Sequence, residues 1–306
     1  MDKQQFESLL DKKVIEIEDI LNRHLPEPKG LQKTVFEAME YSCLSGGKRL
    51  RPMILIESYK LFSGKSEIPY EVECFAAAIE FIHSYSLVHD DLPAMDNDEF
   101  RRGRLTTWKM YGDGIGVLAG DALLNYAFET AFGAAAGIDD ALTLSRIVKA
   151  GAMLSEKSGS YGMIGGQCAD LEAEGKGSGV TIGDLLFIHE HKTACLIEAA
   201  LMVGGILGGA DKDQIETLRK IGSNVGIAFQ IRDDILDVIG NVEELGKKTG
   251  SDAQNDKATY VTLKGIEESE AEAKSLSKEA EELLKSLPGD KEFLTMLIDS
   301  LIGRTR

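Results

Sequence analysis

Two groups of carboxylates carry the chemistry available to this sequence. Asp90 to Gly103 reads DDLPAMDNDEFRRG and places Asp90, Asp91, Asp96, Asp98 and Glu99 ahead of a basic pair, Arg101 and Arg102. Phe229 to Asp237 reads FQIRDDILD, with Asp233, Asp234 and Asp237. Asp233 and Asp237 are four residues apart and therefore share one helix face. Ile231, Ile235, Leu236 and Val238 give that helix apolar neighbours, so its acidic face rides on a largely buried element. Like charges at this spacing repel by roughly a few tenths of a kcal/mol even when exposed, and partial burial raises the penalty. A single acidic run reads as solvated surface. Two such runs on apolar helices call for a cation. Magnesium fits both, because it takes one or two carboxylates and fills its octahedron with water and substrate phosphate oxygens.

Cations sit where such a phosphate would need them. SGGKRLRP, residues 45–52, opens on a glycine turn, and Lys48 and Arg51 fall on the first turn expected for the next helix. A helix start with two cations is an anion site, although the same stretch also reads as a solvated basic turn. His83 shares a helix face with Asp90, seven residues on, and reads either as a core histidine or as a diphosphate contact. His89 is expected to be structural, and Asp121 to be a hydrogen-bonded core residue. Lys192 and Thr193 interrupt an otherwise helical run, where exposed backbone carbonyls would be useful. Lys247, Lys248 and Lys257 lie in LGKKTGSDAQNDKATYV, which reads as a loop able to close over phosphate or as ordinary surface.

The elements that must hold these groups are helices. Val72, Phe75, Ala76, Ile79 and Ile82 recur at helical spacing ahead of Asp90. Pro93 biases Leu92 away from the α region, so that helix is expected to end near Asp91. Carboxylates there face the negative end of the helix dipole, which again calls for a positive partner. Similar patterns span residues 6–21, 31–43, 118–132, 141–154, 181–209, 218–238, 267–287 and 292–301. No strand pattern, repeat or linker stands out, which predicts one all-α domain over residues 1–306. The 306 residues are 43% hydrophobic, enough for a large core, and a net charge of −17 argues against nucleic acid as a partner. Cys43, Cys74, Cys168 and Cys195 are scattered with no zinc or disulfide spacing, which suits a reducing cytoplasm. The longest apolar run, residues 199–210, is too short for a membrane anchor.

DDLPAMD followed by RRG, with DDILD later, resembles the paired aspartate-rich motifs of trans-prenyl diphosphate synthases. The order and separation match the short-chain bacterial members, close to farnesyl diphosphate synthase or geranyltranstransferase. The likeness extends from GGKRLRP to LGKKTGSD. It implies a helical bundle around a large central cavity and a homodimer in the cytoplasm. It implies condensation of dimethylallyl or geranyl diphosphate with isopentenyl diphosphate to farnesyl diphosphate, through an allylic cation and with three magnesium ions. Asp90, Asp91 and Asp96, with Asp233, Asp234 and Asp237, would then be the metal ligands. Lys48, Arg51, His83 and Arg102 resemble isopentenyl diphosphate contacts; Arg101, Lys192 and Lys247 resemble allylic diphosphate contacts, with Lys257 nearby in the same loop. Thr193 and Gln230 resemble groups that steady the developing cation. Tyr85 and Ser86, about one turn before Asp90, resemble chain-length positions. The sequence departs from the family in KTA at Lys192–Ala194, where KTG is commoner, and in Leu105, where proline is frequent. Geranyl or geranylgeranyl diphosphate synthesis, or a non-catalytic subunit of a hetero-oligomeric prenyltransferase, are the alternatives. A subunit of that kind has no need of both acid motifs, which this chain keeps.

Overall fold

The computed structural model describes residues 1–174, 179–239 and 258–302. Fourteen α-helices span the described residues: α1 Lys3–His24, α2 Lys33–Cys43, α3 Leu50–Ser63, α4 Tyr70–Asp90, α5 Thr107–Tyr111, α6 Asp113–Gly133, α7 Ala141–Ser158, α8 Met163–Ala173, α9 Ile182–Ile188, α10 Cys195–Gly208, α11 Lys212–Ile239, α12 Tyr260–Lys264, α13 Ile266–Ser286 and α14 Glu292–Ile302. A π-helical segment, His189–Ala194, joins α9 to α10. Helix starts use local chemistry: Asp2 with Gln5, and Thr181 with Asp184, form reciprocal capping boxes.

Two helices are buried on every side and form the centre. In α4, Val72, Phe75, Ala76, Ile79, Phe81 and Ile82 are all fully enclosed. In α10, every residue from Cys195 to Gly208 except Ile206 is buried. Around them, α4 packs on α3 and α6, α10 on α3, α7 and α11, and α11 on α13. The continuous helical stretch Ile182–Gly208 is long and apolar enough to cross a membrane by length and composition. Most of it is buried against neighbouring helices, as expected of a bundle's central helix.

Three expectations need correction. A two-stranded antiparallel ribbon, β1 Phe100–Arg101 and β2 Arg104–Leu105, is present with Phe100 opposite Leu105. Arg102 and Gly103 form its turn with φ of 53° and 75°, as a type I′ hairpin requires. Strands of two residues are too short to show alternation. Second, α3 begins at Leu50, so Arg51 is on its first turn but Lys48 precedes it. The boundary is set by Arg49, whose φ of 50° is left-handed. Third, Asp121 is exposed rather than in the core, and pairs with His89 Nε2 at 3.8 Å.

Close helix approach depends on small residues. Gly204 of α10 lies against the Leu55 carbonyl of α3, and a Cβ there would overlap that oxygen. A helical glycine normally gains up to about 1 kcal/mol on conversion to alanine, whereas forcing a methyl into a packed interface costs about 1–3 kcal/mol. The second term wins here because the obstacle is backbone. Gly204→Ala is therefore expected to lower the Tm by a few degrees in thermal denaturation; a raised Tm would show that the two helices can separate freely.

Candidate active site

The first acid cluster lies at the C-terminal end of α4. Asp90 is the last helical residue, and Asp91 caps the helix. The chain turns back at once: the Asp96 amide donates to the Asp90 carbonyl (2.9 Å), and Asn97 adopts a φ of 55°. Asp90 is half-buried and Asp96 exposed. Burial pushes the Asp90 carboxyl up to about 6, opposed by the nearby Lys192 ammonium and reinforced by the Asp96 charge. Asp91 is 3% exposed and receives Arg101 in a forked pair: Nε at 2.8 and 3.0 Å, and Nη2 at 2.6 Å. A fork of this kind is among the strongest side-chain interactions. Asp91 thus anchors the hairpin that carries Arg101 and Arg102, a structural duty that the expectation of a metal ligand did not include. Arg101, expected to contact diphosphate, keeps Asp91 as its partner here.

A cationic corner adjoins this cluster. Its cavity is lined by Tyr41, Glu80, His83, Asp91, Arg101 and Arg102, among others. The Arg102 guanidinium donates from the hairpin tip to the Gly46 carbonyl. Gly47 lies flat against it, since a Cβ there would come within 2.8 Å of Arg102 Nη1. Burial, then Arg51, Arg102, Arg101 and Arg49, drive the His83 pKa well below its usual value. His83 is therefore a neutral hydrogen-bonding group at pH 7, not a third cation. Arg51, on the first turn of α3, also feels the corner: burial lowers its pKa and Glu80 opposes that. Sequence reasoning missed Arg49 and Glu80. Arg49 turns inward, donating from Nη1 to Glu80 Oε1 (2.9 Å) and from Nη2 to the Cys43 carbonyl (2.7 Å).

The π-helical segment holds a further set of polar groups, among them Lys192, whose charge reaches Asp90. Lys192 Nζ donates to Asp170 Oδ2 of α8 (2.6 Å), and the Thr193 hydroxyl donates to Gln230 Oε1 of α11 (2.7 Å). Nothing in the local sequence ties Asp170 to Lys192, 22 positions on. Gly166 allows α8 to approach so closely that a Cβ would overlap the Lys192 amide. Gly226 of α11 makes room for the methyl of Ala194, so the alanine in KTA is accommodated by a matched glycine. On α11, Asp233 and Asp237 are half-buried and Asp234 buried. Asp234 accepts from the Tyr260 amide (2.6 Å) and stands 3.8 Å from His189 Nε2. It ties α12 to α11, a structural duty that the expectation of a metal ligand did not include. Lys247, Lys248 and Lys257 lie outside the described residues.

Tyr85 is 6% exposed, and its ring meets His89 edge-on, centroids 5.6 Å apart. Burial first, then the Asp90 charge, push its phenol up to about 12. His89 fits a notch at Gly120 of α6, and its Nε2 is 3.1 Å from the Val117 carbonyl, in keeping with a structural role. The Ser86 hydroxyl donates to the His83 carbonyl (2.9 Å).

Among the described residues no three acidic, histidine or cysteine side chains converge into a closed metal cage. The donors offered are hard carboxylate oxygens, and Asp90 is held where burial outweighs its cationic neighbours. That donor set fits magnesium, which keeps open positions for substrate phosphate oxygens. Asp90, Asp96, Asp233 and Asp237 are the residues that would hold it; when bound, it would supply neutralisation of diphosphate charge.

Comparison with known proteins agrees. Residues 32–293 match the polyprenyl synthetase family. The farnesyl diphosphate synthase of Bacillus subtilis is 42% identical over 297 residues, covering 96% of this chain and 95% of that one. The geranylgeranyl diphosphate synthase of Cyanophora paradoxa is 40% identical over 288 residues, covering 94% and 93%. The geranyltransferase of Helicobacter pylori, solved in complex with magnesium and isoprenyl diphosphate, superposes with a TM-score of 0.80 at 33% identity, covering 97% of this chain and 96% of that one. With both acid clusters on bundle helices and a cationic corner beside the first, the chain belongs to the polyprenyl synthetase family and is a prenyltransferase.

Proposed function

We propose that the protein condenses dimethylallyl and then geranyl diphosphate with isopentenyl diphosphate, releasing farnesyl diphosphate as its main product. The observation that carries this reading is the placement of Tyr85, a buried aromatic ring five residues before Asp90 on the same helix. At 1.5 Å per residue that ring lies about 7 Å down the helix from the first acid cluster, where it shortens the space for a growing chain. Relatives named for farnesyl and for geranylgeranyl products both match, so geranylgeranyl diphosphate is the second reading. Support for magnesium comes from the carboxylate donors and from the magnesium complex of the Helicobacter pylori relative; three ions per site is the proposed count.

In the proposed mechanism the allylic diphosphate lies between the two acid clusters, with Lys192 aimed at its oxygens. Arg51 and Arg102, with Lys48 and neutral His83, hold isopentenyl diphosphate. Ionisation of the allylic C–O bond sends the electron pair to the departing diphosphate and leaves an allylic cation. Thr193 and Gln230, hydrogen-bonded to one another, present oxygens to that cation. The isopentenyl double bond attacks it, and the departed diphosphate takes the proton that restores a double bond, so no protein base is required. The apolar walls of α4 and α10 keep water from the cation. The exposed Val117, Leu118 and Phe132 of α6 suit the interface of a homodimer; a single-chain mass by light scattering would remove them from that role.

Asp90→Ala and Asp233→Ala are each expected to cut turnover by about 100-fold or more while the far-UV CD stays helical. Near-wild-type turnover in either variant would sink the assignment. Arg51→Ala is expected to raise KM for isopentenyl diphosphate, and Lys192→Ala KM for the allylic substrate; if both variants raise the same KM, the division of the cations is wrong. Tyr85→Ala, assayed with the natural substrates, is expected to shift product toward geranylgeranyl diphosphate or longer. An unchanged farnesyl product would place the floor of the cavity elsewhere.

A further inference from the structure

Three arginines stand near the start of α3 and the hairpin tip, and one behaves differently. Arg51 and Arg102 border the cationic corner, whereas Arg49 is 3% exposed and turned away from solvent. To do this its backbone takes a left-handed φ of 50°, a conformation that disfavours any residue with a Cβ. Its partners are Glu80 Oε1 (2.9 Å) and the Cys43 carbonyl (2.7 Å), with Glu18 Oε1 at 3.4 Å. The pair is incompletely satisfied: Arg49 Nε and Glu80 Oε2 are buried without hydrogen-bond partners.

Such an arrangement is a poor device for stability. A buried ion pair of imperfect geometry is commonly matched or bettered by apolar side chains of similar volume. Its position suggests another use. Glu80 lines the same cavity as His83, Arg101 and Arg102, and its charge supports those of both Arg51 and Arg102. Arg49 separates Lys48 from Leu50, where α3 begins. Anchoring it inward fixes the turn on which Lys48 and Arg51 are presented. The same turn supplies the Gly46 carbonyl to Arg102 and the bare Gly47 on which that guanidinium lies.

We infer that the buried Arg49–Glu80 pair is a positioning element for isopentenyl diphosphate: it sets the left-handed turn that presents Lys48 and Arg51 and braces Arg102. One carboxylate balances the inward-turned guanidinium of Arg49, which leaves Arg51 and Arg102 to face the ligand. Neither Arg49 nor Glu80 needs to touch the substrate. The inference rests on the reading that this corner holds isopentenyl diphosphate.

The test compares Arg49→Met, Glu80→Leu and the double variant in melting and in steady-state kinetics, with Arg51→Ala alongside. Each single variant leaves a buried charge without its partner and is expected to melt lower, while the double is expected to recover the wild-type Tm. In the double variant KM for isopentenyl diphosphate is expected to rise about tenfold or more, with KM for geranyl diphosphate within about twofold. A role in packing alone would not move one KM and spare the other. Arg49→Lys keeps the charges paired but lacks the planar fork that joins Glu80 to the Cys43 carbonyl; it is expected to show the same selective rise to a smaller extent, and it serves should the double variant fail to fold. A folded double variant, or Arg49→Lys, with wild-type KM for isopentenyl diphosphate overturns the inference, provided Arg51→Ala raises that KM. If Arg51→Ala leaves it unchanged, the reading of the corner fails and this inference with it.

Discussion

A carboxylate held inside a protein is a demand for positive charge, and the architecture around Asp90 is organised to meet it. Burial, the largest influence, lifts that carboxyl to about 6 against the pull of Lys192 and with the push of Asp96. Its place at the end of α4 adds the negative end of a helix dipole. The chain answers from two directions. Arg101 comes from the hairpin and is engaged by Asp91; Lys192 comes from the π-helical segment and is engaged by Asp170. Each cation near Asp90 is thus already held by another acid. The charges around Asp90 are therefore fixed in place by partners of their own. Preorganised charge of this kind needs little rearrangement when charge develops on the ligand.

The cationic corner solves the opposite problem. Several guanidiniums are drawn together there, and unrelieved they would repel one another. Neutral His83 lowers the total, Glu80 offsets one charge, and the Gly46 carbonyl takes a proton of Arg102. The acid cluster and the basic corner meet at Asp91 and Arg101, whose forked bond joins the end of α4 to the hairpin. That one contact sets the spacing between the acid cluster and the basic corner.

Much of this was legible beforehand. Helical periodicity located α4 ahead of Asp90, and the two acid motifs fall at the end of α4 and on α11. The illegible parts were those that depend on distant partners. In SGGKRLRP three cations look alike; which of them turns inward is decided by Glu80, 31 residues away in sequence and buried on another helix. Asp170 and Gly166 gained meaning only once α8 was seen against Lys192. The hairpin was missed because two residues cannot display a period of two. The interruption at Lys192 and Thr193 was visible, but not its form. A π-helical turn keeps apolar residues on both sides and so leaves no breaker in the sequence.

That turn has a consequence for how the chain can change. Each residue added to or removed from an α-helix rotates everything beyond it by about 100°. Residues downstream of His189–Ala194 are fitted to the rotation that this segment imposes: Gly204 meets the Leu55 backbone, and Gly205 meets Leu218. Trimming the segment by one residue to make a plain helix would swing those glycines away and drive larger side chains into both seams. The bulge therefore cannot be shed in small steps. It is locked by packing three turns away, and so the placement of Lys192 and Thr193 is inherited together with the core.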